Sequence, residues 1–424
     1  MKKYDSYKDS GIEWMGEIPS HWSLIRMRYL CDIGTGDKDT ENAEVDGDFP
    51  FFVRSQTIER ISTYSYDGEA ILTAGDGVGV CKVWHYINGK FDYHQRVYRM
   101  SDFRGVNGKF LFYYLRENFI TEVIKLSAKS TVDSLRRPMF QDFKIAFGSL
   151  AEQTTIANYL DHKTTQIDNL ITKKERLIEL LQEERTAIIN QAVTKGLDPN
   201  VPMKDSGIEW LGEIPEHWGI SKLKYLTSII SKGTTPSTVG KDLIDDGQIK
   251  FIKAENIFEN KVQQLPSFYI DEETHALLKR SQLQEGDILL VIAGATIGKV
   301  AILNSEYVPA NTNQAVCFIR VLNKEYIYFI WLWLQTYYIK EVIKLEATQA
   351  AQPNLSMEDI GNFILPDIDL IELREIIEFV QNRTNKINLS TNTINKEIEL
   401  LKEYKTALIS EVVTGKVDVR ENGE

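Results

Sequence analysis

The chain repeats itself. Residues Lys8–Leu30 (KDSGIEWMGEIPSHWSLIRMRYL) and Lys204–Leu226 (KDSGIEWLGEIPEHWGISKLKYL) are identical at 15 of 23 positions, at an offset of 196. Internal similarity of this kind marks a duplicated structural unit and limits the fold to two related halves. Later landmarks keep step at larger offsets. Gly75, Gly79, Gln95 and Glu122–Leu126 match Gly294, Gly298, Gln314 and Glu341–Leu345 at 219. Ile178–Leu181 and Val193-Thr194 match Ile398–Leu401 and Val413-Thr414 at 220. The second copy therefore carries about 23 extra residues (219 − 196), most of them between the leads and the glycine landmarks. Between landmarks the copies differ, so framework is repeated and content is not.

Each copy has the same layout. A tryptophan-containing lead (Trp14, Trp22; Trp210, Trp218) precedes short β-like runs that alternate with glycine turns, as in Ala70–Thr73 before Gly75 and Ile288–Ala293 before Gly294. An aromatic helical stretch follows (Phe110–Leu126; Tyr326–Leu345), then a long polar helix, roughly Glu152–Val193 and Ile371–Val413. The pattern predicts an α+β chain. A mixed α/β domain over 1–150 and a helix over 151–196 are followed by a second mixed domain over 197–366, which opens with a linker at 196–203. A second helix covers 367–416 and a tail 417–424. Ile167, Leu170, Leu177, Leu181 and Ile188 in the first helix form a heptad-type stripe interrupted by Lys174. Ile387, Ile394, Leu401 and Leu408 form the second, with Tyr404 adding a d-type position. Such stripes predict a coiled-coil seam; the alternative is two amphipathic helices packed on separate cores.

Composition narrows the class. At 424 residues the chain exceeds one hydrophobic core, and 43% hydrophobic with 26% charged residues is ordinary for a globular protein. Met1–Ser10 offers no apolar leader segment, and the most apolar run, Tyr326–Leu334, is too short for a bilayer. Three cysteines without a C-x-x-C pair point to a reducing compartment and to neither a disulfide framework nor a zinc site. Gly294–Val300 has the wrong spacing for a phosphate loop, and Gly75–Gly79 lacks a dinucleotide fingerprint. His21 and His217, beside tryptophans at equivalent places, read as packed or capping residues rather than catalytic ones. No catalytic residue and no metal ligand is expected. The net charge of −12, with no basic segment, means that a nucleic-acid partner would require cations concentrated locally or supplied by another subunit.

Gly11–Trp22 and Gly207–Trp218, the junction Val193–Pro199, Ser231–Ser237 (SKGTTPS) and Gln352–Leu355 (QPNL) together resemble the specificity subunits of type I restriction–modification systems, over Tyr7 to Lys416. The resemblance implies two variable target-recognition domains, each followed by a shared helix, with the helices antiparallel and the halves related by a pseudo-twofold repeat. It implies double-stranded DNA as ligand and a prokaryotic cytoplasmic setting. It also implies a methyltransferase partner carrying S-adenosylmethionine, which modifies adenine, and a motor–nuclease partner carrying ATP and Mg. This chain itself would hold no cofactor, catalyse nothing and require no membrane. The first copy departs from the pattern: Ile33–Lys38 leads into an acidic stretch (Asp39, Glu41, Glu44, Asp46, Asp48) and lacks the Thr-Pro-Ser of the second.

A split target needs two different readers at a defined separation. About 25–30 paired helical residues span roughly 37–45 Å, close to the roughly 34–36 Å of one duplex turn. Readers are expected in polar loops between apolar runs, as Arg or Lys to guanine, Asn or Gln to adenine, and small polar residues to phosphate. In the first domain these are Ser55, Gln56, Thr57, Gln95, Lys129, Ser130, Arg136 and Arg137. In the second they are Lys232, Thr234, Lys253, Asn256, Thr296, Lys299, Asn313, Gln314, Gln349 and Asn354. Two other classes stand beside this reading. One is a structural coiled-coil interaction protein with two divergent globular heads. The other is a self-sufficient restriction or methylation enzyme, whose motifs are missing.

Overall fold

The computed structural model describes residues 2–126, 134–348 and 354–420. It resolves into two compact units, Met1–Glu175 with Ile394–Glu424, and Arg176–Thr393. Both long helices are divided between them. The first, Leu150–Lys195, gives its opening part to unit 1 and its end to unit 2; the second, Leu370–Val413, does the reverse. The presumed tail is part of unit 1, with Val417, Asp418 and Val419 buried.

Unit 1 is built on a six-stranded sheet in the order Asp32–Thr35, Val97–Ser101, Tyr66–Ala74, Trp84–Tyr93, Phe49–Phe52, Glu59–Ile61. Its neighbours are antiparallel except for one parallel pairing, Phe51 and Phe52 with Asp92 and Tyr93. Ala70–Ala74 is apolar or small throughout because both faces are covered. The helix Gly108–Leu126 lies on one side, with Phe119 edge-on to Trp84, and the cluster of Phe52, Leu72, Phe91 and Val97 forms another part of the core. In unit 2 the same plan is split into two four-stranded sheets. One orders Thr227–Lys232, Val316–Val321, Ile288–Val291 and Val300–Ile302; the other orders Tyr269–Ile270, Ile249–Ile252, Ala310–Thr312 and Gln282–Leu283.

Strand registers give the true correspondence between the copies. The parallel pair Phe52–Tyr93 recurs as Ile252–Thr312, and Ala74–Val97 recurs as Val291–Val316. The offset thus rises from 200 at Phe52/Ile252 to 217 at Ala74/Val291, which places 17 extra residues (217 − 200) between them. They include the ribbon Ile257–Phe258 with Lys261–Val262 and the short helix Glu272–Leu277. Gly75 and Gly294, aligned by sequence, are not equivalent in space. Gly75 N–H donates to the Arg96 carbonyl and its own carbonyl accepts from Leu135; in unit 2 these bonds belong to Ile292, with Ala315 and Leu355.

The helices pair through a seam with strict four-three spacing. In the first it runs Leu160, Thr164, Ile167, Ile171, Lys174, Ile178, Leu181, Arg185, Ile188 and Ala192, all buried or half-buried. In the second it runs Val380, Thr384, Ile387, Thr391, Ile394, Ile398, Leu401, Lys405, Leu408 and Val412, likewise. The two sets match at an offset of 220 throughout. Within unit 1 the helices are antiparallel: Lys405 Nζ meets Asp168 at 2.6 Å, and Lys174 Nζ meets Glu397 at 2.6 Å. Leu170 and Leu177 are corrections to the expected seam, being exposed at 43% and 44%. The next residues, Ile171 and Ile178, take those places, because one residue turns the side chain through about 100° around the axis. Tyr404 is exposed for the same reason, and Lys405 occupies its place.

Each lead is clamped between the two helices. In unit 1, Trp22 is fully buried; its Nε1 donates to Glu152 Oε1 at 3.0 Å, while His21 Nε2 lies 2.9 Å from Glu152 Oε2. Glu152 is in the first turn of its helix, where a carboxylate also complements the helix dipole. Unit 2 repeats this, with Trp218 Nε1 and His217 Nε2 on Glu372 at 2.9 and 2.8 Å. Both histidine side chains are about half exposed, at 48% and 51%, and hydrogen-bond the first-turn glutamate rather than fill a core. On the other side sits the end of the opposite helix. Gly415 (φ +74°) and Gly196 (φ +76°) turn left-handed beside Trp22 and Trp218, and a Cβ on Gly415 would fall 2.4 Å from Pro19. The neighbouring lysines, in reversed order along the chain, reach one equivalent carbonyl: Lys416 that of Glu17 at 2.6 Å, Lys195 that of Glu213.

Cys31, Cys81 and Cys317 are buried and free; burial pushes the Cys81 thiol up to about 11 and that of Cys31 to about 12. Among the described residues no helix is long and apolar enough to cross a membrane.

The seam assignment is tested by two neighbours. Ile171→Ala should cost about 2–5 kcal/mol as a buried truncation, whereas Leu170→Ala should stay within about 0.5 kcal/mol of the parent, both read from urea unfolding of the full chain.

Candidate nucleic-acid interface

The polar loops chosen from sequence converge because of the strand registers. In each unit two parallel strands end side by side, so the segments that follow them are neighbours: Arg54–Thr57 and His94–Arg96 in unit 1, Lys253–Asn256 and Asn313–Ala315 in unit 2. A third segment, following the first strand of each sheet, crosses the same ends. Gly36 and Gly233 make this possible, since a Cβ there would lie 1.9 Å from the Tyr93 carbonyl oxygen and 2.0 Å from that of Thr312. The fourth is the start of a short helix: Asp76 bridges Ser134 and Ala293 bridges Asn354, which brings Arg136 and Asn354 to the same end.

In unit 1, Ser55, Gln56, Thr57, Gln95, Arg136 and Arg137 are exposed. His85 Nε2 donates to the Ser55 carbonyl at 3.1 Å and so holds its loop. Gln95 Nε2 donates to Asp39 Oδ2 at 2.6 Å. His94 Nδ1 accepts the Arg96 N–H at 2.9 Å, which places the ring proton on Nε2, facing Asp39 at 3.6 Å. Burial lowers the His94 pKa, outweighing the pull of Asp39, so the ring is neutral and serves the loop. Two residues absent from the expected set stand out. Arg54 and Arg96 both bind Asp76, Nη1 to carboxylate oxygen, at 3.0 and 2.7 Å. Burial opposes ionisation of Asp76, but the hydrogen bonds from Arg96 and Arg54 prevail and hold its carboxyl below the ordinary 3.8. The only hint in the sequence was adjacency, to Ser55 and to Gln95.

In unit 2, Lys232, Gln314 and Asn354 are exposed, and Thr234, Lys253, Thr296, Lys299 and Asn313 are half-buried. Thr234 N–H donates to the Thr312 carbonyl at 2.9 Å, and Thr235, also outside the expected set, donates its hydroxyl to Gln314 Oε1. Lys253 Nζ lies 3.6 Å over the Phe268 ring and Lys299 Nζ 5.4 Å over Phe258, so both cations are positioned by aromatic faces. Thr296 and Lys299 belong to the turn after Ile292 rather than to the Thr234–Gln314 group. Asn256 is a correction. It is buried, its Oδ1 accepts from Lys253 N–H at 3.0 Å, and its Nδ2 donates to the carbonyls of Gln263 and Pro266 at 3.2 and 2.7 Å. Both its amide donors and its side-chain carbonyl serve the loop. Lys129, Ser130 and Gln349 lie outside the described residues. Among the described residues no group of His, Cys, Asp and Glu is arranged to hold a metal ion.

The fold is thus a duplicated mixed α/β unit whose polar loops gather at one end of the sheet, each copy followed by a long helix. The family model described as "Type I restriction modification DNA specificity domain" matches residues 19–181 and again 215–400, and the chain belongs to that family. It is 23% identical over 401 residues to the type I restriction enzyme EcoDI specificity subunit of Escherichia coli, covering 90% of this chain and 85% of that protein. It is 29% identical over 442 residues to the MjaVIII specificity subunit of Methanocaldococcus jannaschii, covering 98% and 97%. A chain solved in work on complex assembly and conformational transition of the type I R-M system has the same fold, with a TM-score of 0.70 at 13% identity over 94% of this chain and 99% of that one.

Buried and exposed residues of these loops are separable by mutation. Asn256→Ala should destabilise the chain by about 1–3 kcal/mol, because it strands buried backbone groups. Gln314→Ala, at an exposed position, should unfold within about 0.5 kcal/mol of the parent; chemical denaturation of both variants checks this.

Proposed function

We propose that this chain reads a two-part DNA target, one half-site per unit, while the helices set the gap between the halves. One observation carries the reading: the parallel strand ends and the backbone bonds of Gly75 with Arg96 and Leu135 recur in unit 2 at Ile292, Ala315 and Leu355, with different side chains on them. A scaffold for one ligand would repeat its contacts; a reader of two unlike half-sites repeats only its frame. The interface offers the donors that base edges and phosphates require: arginines and Gln95 in unit 1, lysines, Asn354 and Gln314 in unit 2. These local cations answer the net charge of −12.

In this reading the chain performs no chemistry. It directs a methyltransferase subunit carrying S-adenosylmethionine to adenine, and a motor–nuclease subunit using ATP and Mg to cleavage, in a prokaryotic cytoplasm. Its acidic helices serve as docking surface and ruler, since they avoid competing for phosphate.

Replacing Lys232–Pro366 by the corresponding block of another specificity subunit should change one half of the methylated motif and leave the other intact. Methylation-sensitive sequencing of the host genome reads both, and a simultaneous change in both halves would overturn independent reading.

A matched heptad inserted in both helices, between Lys173 and Gln182 and near Asn395, should lengthen the gap without altering either half-site. Seven residues add about 10 Å of helix, or about 3 base pairs of duplex. A folded, active insertion variant that kept the original gap would refute the ruler.

A further inference from the structure

Asp76 holds Arg54 and Arg96 together from three separate loops. The strand registers identify their counterparts in unit 2. Arg54 lies two residues beyond Phe52, and Ala254 two beyond Ile252; Arg96 directly precedes Val97, and Ala315 directly precedes Val316. Asp76 bridges Ser134 as Ala293 bridges Asn354. All three charged side chains of unit 1 are therefore alanines in unit 2. The backbone bonds around them persist in both: Gly75 to Arg96 and Leu135, Ile292 to Ala315 and Leu355. The frame does not need the cluster, which comes or goes as a whole. That is the behaviour of variable content.

Its geometry favours one kind of contact. Each guanidinium has five N–H donors and a fixed fork. Asp76 accepts from one nitrogen of each, and the arginine side chains remain 42% and 59% exposed against 22% for Asp76. A phosphate contact gains most from free charge, which the carboxylate reduces. A base contact gains most from a fixed direction, which the carboxylate supplies.

We propose that Arg54 and Arg96, aimed by Asp76, read guanine in the half-site of unit 1, and that unit 2 reads no guanine from the matching positions. The inference rests on the two-half-site reading above. Arginine paired to guanine O6 and N7 is the commonest specific major-groove contact.

The test uses the full chain in its methyltransferase complex. The probes are duplexes carrying the genomic motif, and versions with each guanine of the unit 1 half-site replaced in turn by 7-deazaguanine, which lacks N7. The block exchange above tells which half-site belongs to unit 1. The parent complex should lose affinity on at least one modified duplex. Arg54→Ala or Arg96→Ala should lose roughly 5- to 150-fold on the natural duplex, the range corresponding to one bidentate pair. That variant should then be indifferent to the modification at its guanine. Arg96→Lys should lose discrimination as well, and Asp76→Asn should weaken the preference for guanine while non-specific binding is retained. Unfolding curves should match the parent, because both arginines are exposed.

An equal loss on every duplex with a shallower salt dependence would show phosphate contact and overturn the proposal. So would unchanged binding in the alanine variants, or a unit 1 half-site without guanine. If the parent complex yields no two-part motif at all, it is the underlying reading that fails.

Discussion

The indole N–H of each lead tryptophan on the first-turn glutamate of a long helix is the contact on which the rest of the structure depends. A buried donor without a partner costs about 1–3 kcal/mol, so Trp22 and Glu152, and Trp218 and Glu372, fix each other's position. The same indoles form the floor for the glycine turns that end the opposite helices, Gly415 and Gly196. Each unit is thus closed by the start of the helix that follows it and by the end of the other. The clamp is extended by the strand after each lead, Ser23–Arg26 or Gly219–Lys222, which pairs with the strand that runs into the helix.

The loops themselves show how one frame carries two chemistries. Parallel strand ends, a close glycine crossing and a short-helix start bring the same four segments together twice. In unit 1 they carry an Arg–Asp–Arg cluster and an Asp39–Gln95 pair; in unit 2 they carry a Thr235–Gln314 pair and Lys253 laid over the Phe268 ring. Loop backbone satisfied by its own sheet leaves side chains free to vary without refolding cost. Buried capping residues such as Asn256 stand outside that freedom.

Charge is divided in the same way. The helices carry paired charges in or beside their seam, Lys405 with Asp168 and Lys174 with Glu397, where long aliphatic stems still cover apolar neighbours. Exposed pairs of this kind contribute little to stability, so the buried isoleucines, leucines and valines of the seam do most of the holding. At the loop ends of the sheets the charges are held differently: Arg54 and Arg96 share Asp76, and Lys253 lies over the Phe268 ring.

Much was legible in the sequence. The duplicated lead announced two equivalent units, and the heptad stripes announced the paired helices, whose ends fall within a few residues of the expected ones. Other features were not legible, for definite reasons. Leu170 and Ile171 are equally apolar, and only the partner helix decides which of two side chains about 100° apart is covered. Gly75 and Gly294 align as letters, but turns of unequal length displace them by two residues, and strand pairing alone reveals it. Arg54, Asp76 and Arg96 are separated by 22 and 20 positions, so nothing local links them. Periodicity and repetition are local properties, and they sufficed to determine two mixed domains and two long helices. That each helix begins in one unit and ends in the other was decided by contacts such as Lys416 with the Met15 carbonyl, 401 positions apart, which leave no trace in local sequence and exist only once the chain has closed on itself.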